Sequence, residues 1–330
     1  MLHRPKALFA MRAEHLATLF PAPALERLRG IADIDVSLVA ERFDDPRLAE
    51  VLPGVDVLIT GWGCPPLDDA VLAAAPRLRA ALHSAGSVKG IITPSCWERG
   101  LLVSSAADAN AVPVAEYTVA AVLLAGKGVF ALREDYRRRR WFRLGEVHPA
   151  VGNYGRRVGI VGASRIGRRV LGLLAPHDLE LCLYDPYTRV EGVAQVGLDE
   201  LLSTCDIVSL HAPATDETRH MLDRRRLALM PDGAVLVNTA RGSLVDTGAL
   251  EAELRSGRLS AVLDVTEPEP LPADSPLYDL PNAFLTPHIA GSQGNELARM
   301  GATVLDELER LAAGFPLAHQ VTDDDLDRVA

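Results

Sequence analysis

The sequence predicts an α/β protein of two lobes, each a doubly wound parallel sheet with helices on both faces. Three observations lead there. Short apolar runs of strand length alternate with helical stretches along the 330 residues, the pattern of parallel sheets covered on both faces. One run, at 157–162, ends in glycine, turns and reopens as a helix, which is how a βαβ unit begins. Hydrophobic residues make up 48% of the chain and aromatics only 5%, so Ala, Leu and Val fill the cores, as suits α/β layers.

Taken in order, the first lobe has strand candidates at 6–11, 34–40, 55–60, 78–84 and 101–105, with helices at 16–28 and 67–75 between them. Residues 113–130 are apolar and too long for a strand, and read as a buried connecting helix. The run Arg137 to Arg140 reads as a solvated helical face, or as an electropositive rim that draws in an anion. The second lobe takes up the chain by about Val151, with strands at 157–162, 179–184, 206–211, 234–238, 260–265 and 283–286. Six such strands with helices between them match a doubly wound sheet. In the last helical stretch, 295–311, Leu297, Met300, Val304, Leu308 and Leu311 share one face. A helix there can cross back and build the first lobe from both chain ends. The expected domains are therefore 1–118 with 292–330, and 119–291. The acidic tail after Pro316 is expected to fray.

Composition excludes several classes. A net charge of −10 leaves no basic surface for nucleic acid. No apolar run approaches the ~18 residues of a membrane span, and the start lacks the apolar core of a signal peptide. Cys64, Cys96, Cys182 and Cys205 are scattered, with no CxxC pair and no zinc-type spacing. They read as reduced thiols of a cytoplasmic protein that holds no metal.

The turn after the 157–162 strand reads Gly162-Ala163-Ser164-Arg165-Ile166-Gly167, a G-x-G-x-x-G dinucleotide fingerprint with serine at its middle position. Gly162 supplies the tight turn, Gly167 lets the helix pack on the strand, and a pyrophosphate gains from the N–H groups of the helix start. The next strand ends at Asp185, 23 residues after Gly162 (185 − 162), close to the ~20 expected of the acid that binds the ribose hydroxyls. This is a Rossmann pattern, and an acid there favours NAD over NADP. Arg189 points the other way, and Asp185 before Pro186 also suits a plain turn.

Three later stretches carry chemistry: Asn238-Thr239-Ala240-Arg241-Gly242, Asp264-Val-Thr266-Glu-Pro-Glu269, and Thr286-Pro-His288-Ile-Ala-Gly-Ser292. Singly, Arg241, Glu269 and His288 suit a surface arginine, a loop acid and a strand-end histidine. Together, each near the end of a separate strand, they suit a site. With Leu210-His211-Ala-Pro213 and Met230-Pro-Asp-Gly233, these stretches resemble the D-isomer-specific 2-hydroxyacid dehydrogenases, over most of residues 80–310.

The resemblance implies a Rossmann NAD-binding domain, a flavodoxin-like, discontinuous substrate domain, a cleft between them, and a homodimer. It implies that Arg241 binds the carboxylate and keto oxygen of a small 2-oxo or 2-hydroxy acid, and that His288 is the acid/base with Glu269 as its partner. On the cofactor side it places Gly162, Ser164, Arg165, Ile166, Gly167, Asp185, His211, Pro213, Thr239, Ala240 and Asp264. Ser87 and Val88 would offer backbone N–H groups to the substrate carboxylate, with Asn110 nearby. His83 is expected to line the same pocket, and His220 to be structural or on the cofactor side. The expected reaction is hydride transfer between a nicotinamide and C2, as in glyoxylate or hydroxypyruvate reduction. Glu269 argues against formate oxidation, which would want a neutral partner for the histidine. An NAD(H)-sensing corepressor or scaffold of the same fold is the alternative. Three positions depart from the family pattern: Ser164 for glycine, Lys89 for an acid, and Thr266 for an aromatic.

Overall fold

The computed structural model describes residues 4–143, 145 and 151–326. Its strands are β1 (Ala7–Ala10), β2 (Val57–Thr60), β3 (Ala80–His83), β4 (Leu102–Ser105), β5 (Arg156–Val161), β6 (Leu179–Tyr184), β7 (Ala194–Gln195), β8 (Ile207–Leu210), β9 (Val235–Asn238), β10 (Ser260–Leu263), β11 (Ala283–Leu285) and β12 (Gln320–Val321). The chain forms two compact units: residues up to Asn110 together with those from Ser292 onward, and Ala111–Gly291.

The first unit holds the sheet β1-β2-β3-β4-β12. Its first four strands are parallel and β12 runs antiparallel to β4. The strand expected at 34–40 is absent. Only single bridges, Lys6 to Asp33 and Phe9 to Val39, join that segment to β1. The reason is local: Asp35 Oδ1 accepts from both the N–H and the hydroxyl of Ser37, closing a turn in the middle of the run. With this edge beside β1, the strand order is flavodoxin-like.

The tail expected to fray instead pairs as β12, because Val321 is buried in the core against Leu8, Leu58 and Val103. The helix Leu297–Ala312 does return to this unit. Its Met300, Val304, Leu305, Leu308 and Leu311 pack with Phe9, Phe20, Leu28 and Ile59. Gly301 permits the approach, since a Cβ there would stand 1.9 Å from the Leu19 carbonyl oxygen.

The second unit holds a parallel sheet ordered β11-β10-β9-β8-β5-β6-β7. Six strands were expected. The two-residue β7 is a seventh, at the edge beside β6, too short to leave an apolar run. The chain runs outward from β5 through β6 and β7, then returns to β8 on the other side of β5. The β5–β8 junction is thus the switch point where open α/β sheets bind ligands.

The single helix expected over 113–130 is two helices. Ala107–Gly126 carries Pro113 inside it, and Val129–Arg139 follows a break at Gly128, where φ is +62°. The first is long and apolar enough to cross a membrane by length and composition, contrary to the expectation that no apolar run approaches that length. Its Ala115, Ala121, Val122 and Ala125 are buried against Val158, Ile160, Val170 and Leu183, which accounts for its apolar character.

Candidate active site

In the second unit the candidate residues follow the C-terminal ends of six parallel strands. After β5 the chain turns at Gly162, with φ +99°. A Cβ there would lie 2.7 Å from Ala212 N and 2.8 Å from His211 C, so only glycine lets the loop pass the β8 end. Ser164 is the N-cap of the helix Arg165–Leu174, its Oγ accepting from Gly167 N at 3.4 Å. The departure from glycine therefore has a local use. A Cβ on Gly167 would stand 2.0 Å from the Gly162 carbonyl oxygen, so the helix starts hard against the strand. The two glycines leave a cradle of backbone that any side chain would fill. That cradle, with the first-turn N–H groups of a helix, fits a pyrophosphate.

Asp185, just after β6, ties this loop down. Its Oδ2 accepts from Ala163 N at 2.6 Å, and its Oδ1 from Tyr187 N and Thr188 N at 2.8 Å each. His211, just after β8, is buried. Its Nε2 lies 2.9 Å from Ser209 Oγ, and its Nδ1 has no partner among the described residues. Burial pulls its pKa down to about 3, so the ring is neutral. Pro213 O accepts the Thr218 hydroxyl at 2.6 Å. Arg165 and Ile166 open the helix behind the glycine turn.

After β9, Thr239 Oγ1 meets Thr118 Oγ1 at 2.8 Å, and Ala240 N donates to Asn238 Oδ1. Arg241 bends back so that Nη1 donates to Ala240 O at 2.7 Å. Burial lowers its pKa and the charge of Glu269 opposes that shift. Gly242 allows the loop from β10 to close over it, since a Cβ there would stand 2.0 Å from the Thr266 carbonyl. That loop is pinned further along. Thr247 donates to Glu267 O, while the Glu267 carboxylate takes Arg219 at 2.7 Å and His220 at 2.9 Å.

His288 Nδ1 lies 2.5 Å from Glu269 Oε1. The histidine is held at φ +54°, a region uncommon for residues other than glycine and one that collects at functional sites. Asp264 enforces that conformation. Its Oδ1 accepts from the Thr286 hydroxyl and Ile289 N, its Oδ2 from Ala290 N, and its carbonyl from His288 N. Asp264, placed on the cofactor side by the resemblance, also organises the turn that presents His288. Tyr117, which sequence reading missed, completes the chain with its hydroxyl 2.7 Å from Thr286 Oγ1. The threonine of Thr-Pro-His was the only local hint of that network.

In the first unit, His83 ends β3. It is buried with Nδ1 2.9 Å from Thr60 Oγ1, and burial pulls it down to about 4 while a backbone hydrogen bond with Ser87 opposes the shift. Ser87 Oγ accepts from Lys89 N at 3.3 Å, and Val88 is buried. Asn110 Oδ1 accepts from Ser292 N at 2.8 Å, joining the helix after β4 to the returning chain.

Residues 119–290 match the family described as "D-isomer specific 2-hydroxyacid dehydrogenase, NAD binding domain". The chain belongs to the D-isomer specific 2-hydroxyacid dehydrogenase family. Among these dehydrogenases it is 30% identical to D-3-phosphoglycerate dehydrogenase of Methanocaldococcus jannaschii over 298 residues, 88% of this chain and 56% of that protein. It is 35% identical to glyoxylate reductase of Korarchaeum cryptofilum over 251 residues, 74% of this chain and 76% of that one. The chain spans about half the length of the phosphoglycerate dehydrogenases it matches. The structure of a D-isomer specific 2-hydroxyacid dehydrogenase from Xanthobacter autotrophicus Py2, in complex with NADPH and MES, superposes with a TM-score of 0.74 at 26% identity, covering 97% of this chain and 98% of that one. The Gly162–Gly167 turn and the His288 turn both lie within the residues that match this family.

Proposed function

We propose that this chain is an NAD-dependent oxidoreductase moving a hydride between a nicotinamide and C2 of a small 2-hydroxy or 2-oxo acid. The observation that carries the reading is the 2.5 Å contact of His288 Nδ1 with Glu269 Oε1 on a turn held at positive φ. Glu269 engages Nδ1, which leaves Nε2 as the atom that exchanges a proton with the substrate oxygen at C2. The same carboxylate favours the imidazolium that must give up that proton in reduction. Arg241 forks onto the substrate carboxylate and keto oxygen, a role for which a planar, permanently charged group is suited. The nicotinamide, when bound, supplies or accepts the hydride. Gly162, Ser164, Arg165, Ile166 and Gly167 would hold its pyrophosphate, with Asp185, His211, Pro213, Thr239, Ala240 and Asp264 around the rest of the dinucleotide.

In the same reading, residues 119–291 are the cofactor domain, and 1–118 with 292–330 the substrate domain. Ser87 and Val88 would offer backbone N–H groups to the substrate carboxylate, with Asn110 as a further substrate residue of the first unit. The cofactor preference rests on Asp185, whose negative charge disfavours a 2′-phosphate. A cytoplasmic location is supported by four cysteines that all carry free thiols. A homodimer is supported by the exposed Leu132, Tyr136, Trp141 and Phe142 on and after the helix Val129–Arg139, and light scattering tests it: a monomer mass would remove this part.

The deciding experiment follows NADH and NADPH absorbance against glyoxylate, hydroxypyruvate, pyruvate, phenylpyruvate and longer 2-oxo acids. Turnover of at least one with NADH, and weaker turnover with NADPH, is expected. Inertness across the panel, with NADH binding intact, would overturn the catalytic reading in favour of an NAD(H) sensor.

A further inference from the structure

We propose that Cys182 and Cys205 form a reversible oxidation site in the second unit, where a peroxide-class oxidant joins the two thiols as a disulfide. The two sulfurs lie 3.3 Å apart, and both cysteines are buried.

The sheet explains how they meet. Cys182 on β6 stands level with Gly159 on β5, and Gly159 stands level with Val208 on β8. Cys205 comes three residues before Val208 (208 − 205), at the end of the helix Leu198–Thr204. A side chain on the central strand would separate them. A Cβ at residue 159 would stand 2.9 Å from Cys205 Sγ and 2.4 Å from Leu201 Cδ2. Because that position is glycine, Cys205 settles over the bare strand and reaches Cys182. A disulfide then needs the sulfurs to close to about 2.05 Å.

The surroundings favour one sulfur as the nucleophile. Cys182 is pulled down, first by a hydrogen bond from Cys205 and then, against burial, by the Arg157 guanidinium; Glu200 acts the other way. Arg157 lies two residues before Gly159 and so on the same strand face. Cys205 is pushed upward by its bond to Cys182 and by burial. The thiolate is the reactive form. Cys64 and Cys96 have no such setting. Each Sγ donates to a backbone carbonyl at 3.3 Å, and burial pushes Cys64 up to about 12.

The chemistry balances with one peroxide. The Cys182 thiolate attacks a peroxide oxygen. An S–O bond forms, the O–O bond breaks, and the leaving hydroxide becomes water with the proton that the Cys182 thiol gave up. Cys205 Sγ then attacks Cys182 Sγ. The S–S bond forms, the S–O bond breaks, and the departing hydroxide takes the Cys205 proton as water. Two thiols and one hydrogen peroxide give a disulfide and two waters, with both electrons passing to the peroxide.

The test treats the full chain with hydrogen peroxide, unfolds it, counts thiols and maps them by mass spectrometry. Of the four thiols two are expected to vanish, with a Cys182–Cys205 crosslinked peptide two hydrogens lighter, and dithiothreitol is expected to restore all four. Cys205→Ser should instead leave a sulfenic acid on Cys182, trappable by dimedone. Four surviving thiols in the unsubstituted protein, or loss that falls on Cys64 and Cys96, would overturn the proposal whether or not the variant folds.

Discussion

Two glycines in one helix should respond differently to the same substitution. Gly167 and Gly172 both lie in Arg165–Leu174, so Gly→Ala gains about 1 kcal/mol of helix propensity at either position. At Gly172 a Cβ meets nothing within 4 Å. The gain is realised, about 0.5–1 kcal/mol, and Tm rises by about 2–4 °C per kcal/mol. At Gly167 the Cβ would stand 2.0 Å from Gly162 O and 3.3 Å from His211 Cβ. Both neighbours belong to the strand ends that define the nucleotide turn, so the helix start must retreat by about 1 Å. Overpacking of this kind costs about 1–3 kcal/mol, which cancels or exceeds the helix gain. The retreat also draws the first-turn amides away from the phosphate. Losing one charge-assisted hydrogen bond, about 1.5–3 kcal/mol, weakens binding about tenfold to a hundredfold. The assay is NADH titration by fluorescence, paired with a thermal melt. If Gly167→Ala bound NADH within twofold of the parent and melted higher, as Gly172→Ala should, the close-packing argument for the turn would be wrong.

Three further outcomes are expected. His288→Ala should lower turnover by about two orders or more while NADH binding persists; equal loss of both would sink its acid/base role. Arg241→Lys keeps the charge but loses the fork, so KM for the 2-oxo acid should rise about tenfold or more, and an unchanged KM would refute bidentate binding. Stability should fall with acid. His83 and His211 are neutral in the fold, at about 4 and about 3, while the unfolded chain takes up these protons near pH ~6.5. The unfolded state therefore binds more protons between those values, and stability present above pH ~6.5 is lost as pH falls towards 4. Thermal melts from pH 7.5 to 4.5 check this, and His83→Gln should flatten the slope; an identical slope in the variant would show that other groups set it.

Much of this protein was determined by sequence adjacency. Gly162 and Gly167, five residues apart, specify a turn through their own backbone freedom. The face of Leu297, Met300, Val304, Leu308 and Leu311 specifies the returning helix through its 3.6-residue period, and the strand ending at Asp185 is an apolar run with an acid behind it. These are local rules, satisfied by neighbours in the chain. The tertiary structure decided what depends on strand order and on competition for hydrogen bonds. Ser164 became a helix cap rather than a gap in the glycine pattern. Asp264 spends its oxygens on residues 286, 289 and 290, through a network that reaches Tyr117, 169 positions from Thr286. The 34–40 run lost its strand to an Asp35–Ser37 turn, and the acidic tail gained one because Val321 found a core. Cys182 and Cys205 meet only because β5 runs between β6 and β8 and carries glycine where they cross. A sequence pattern names which groups are present, but which of them touch is settled by the order in which the strands lie side by side.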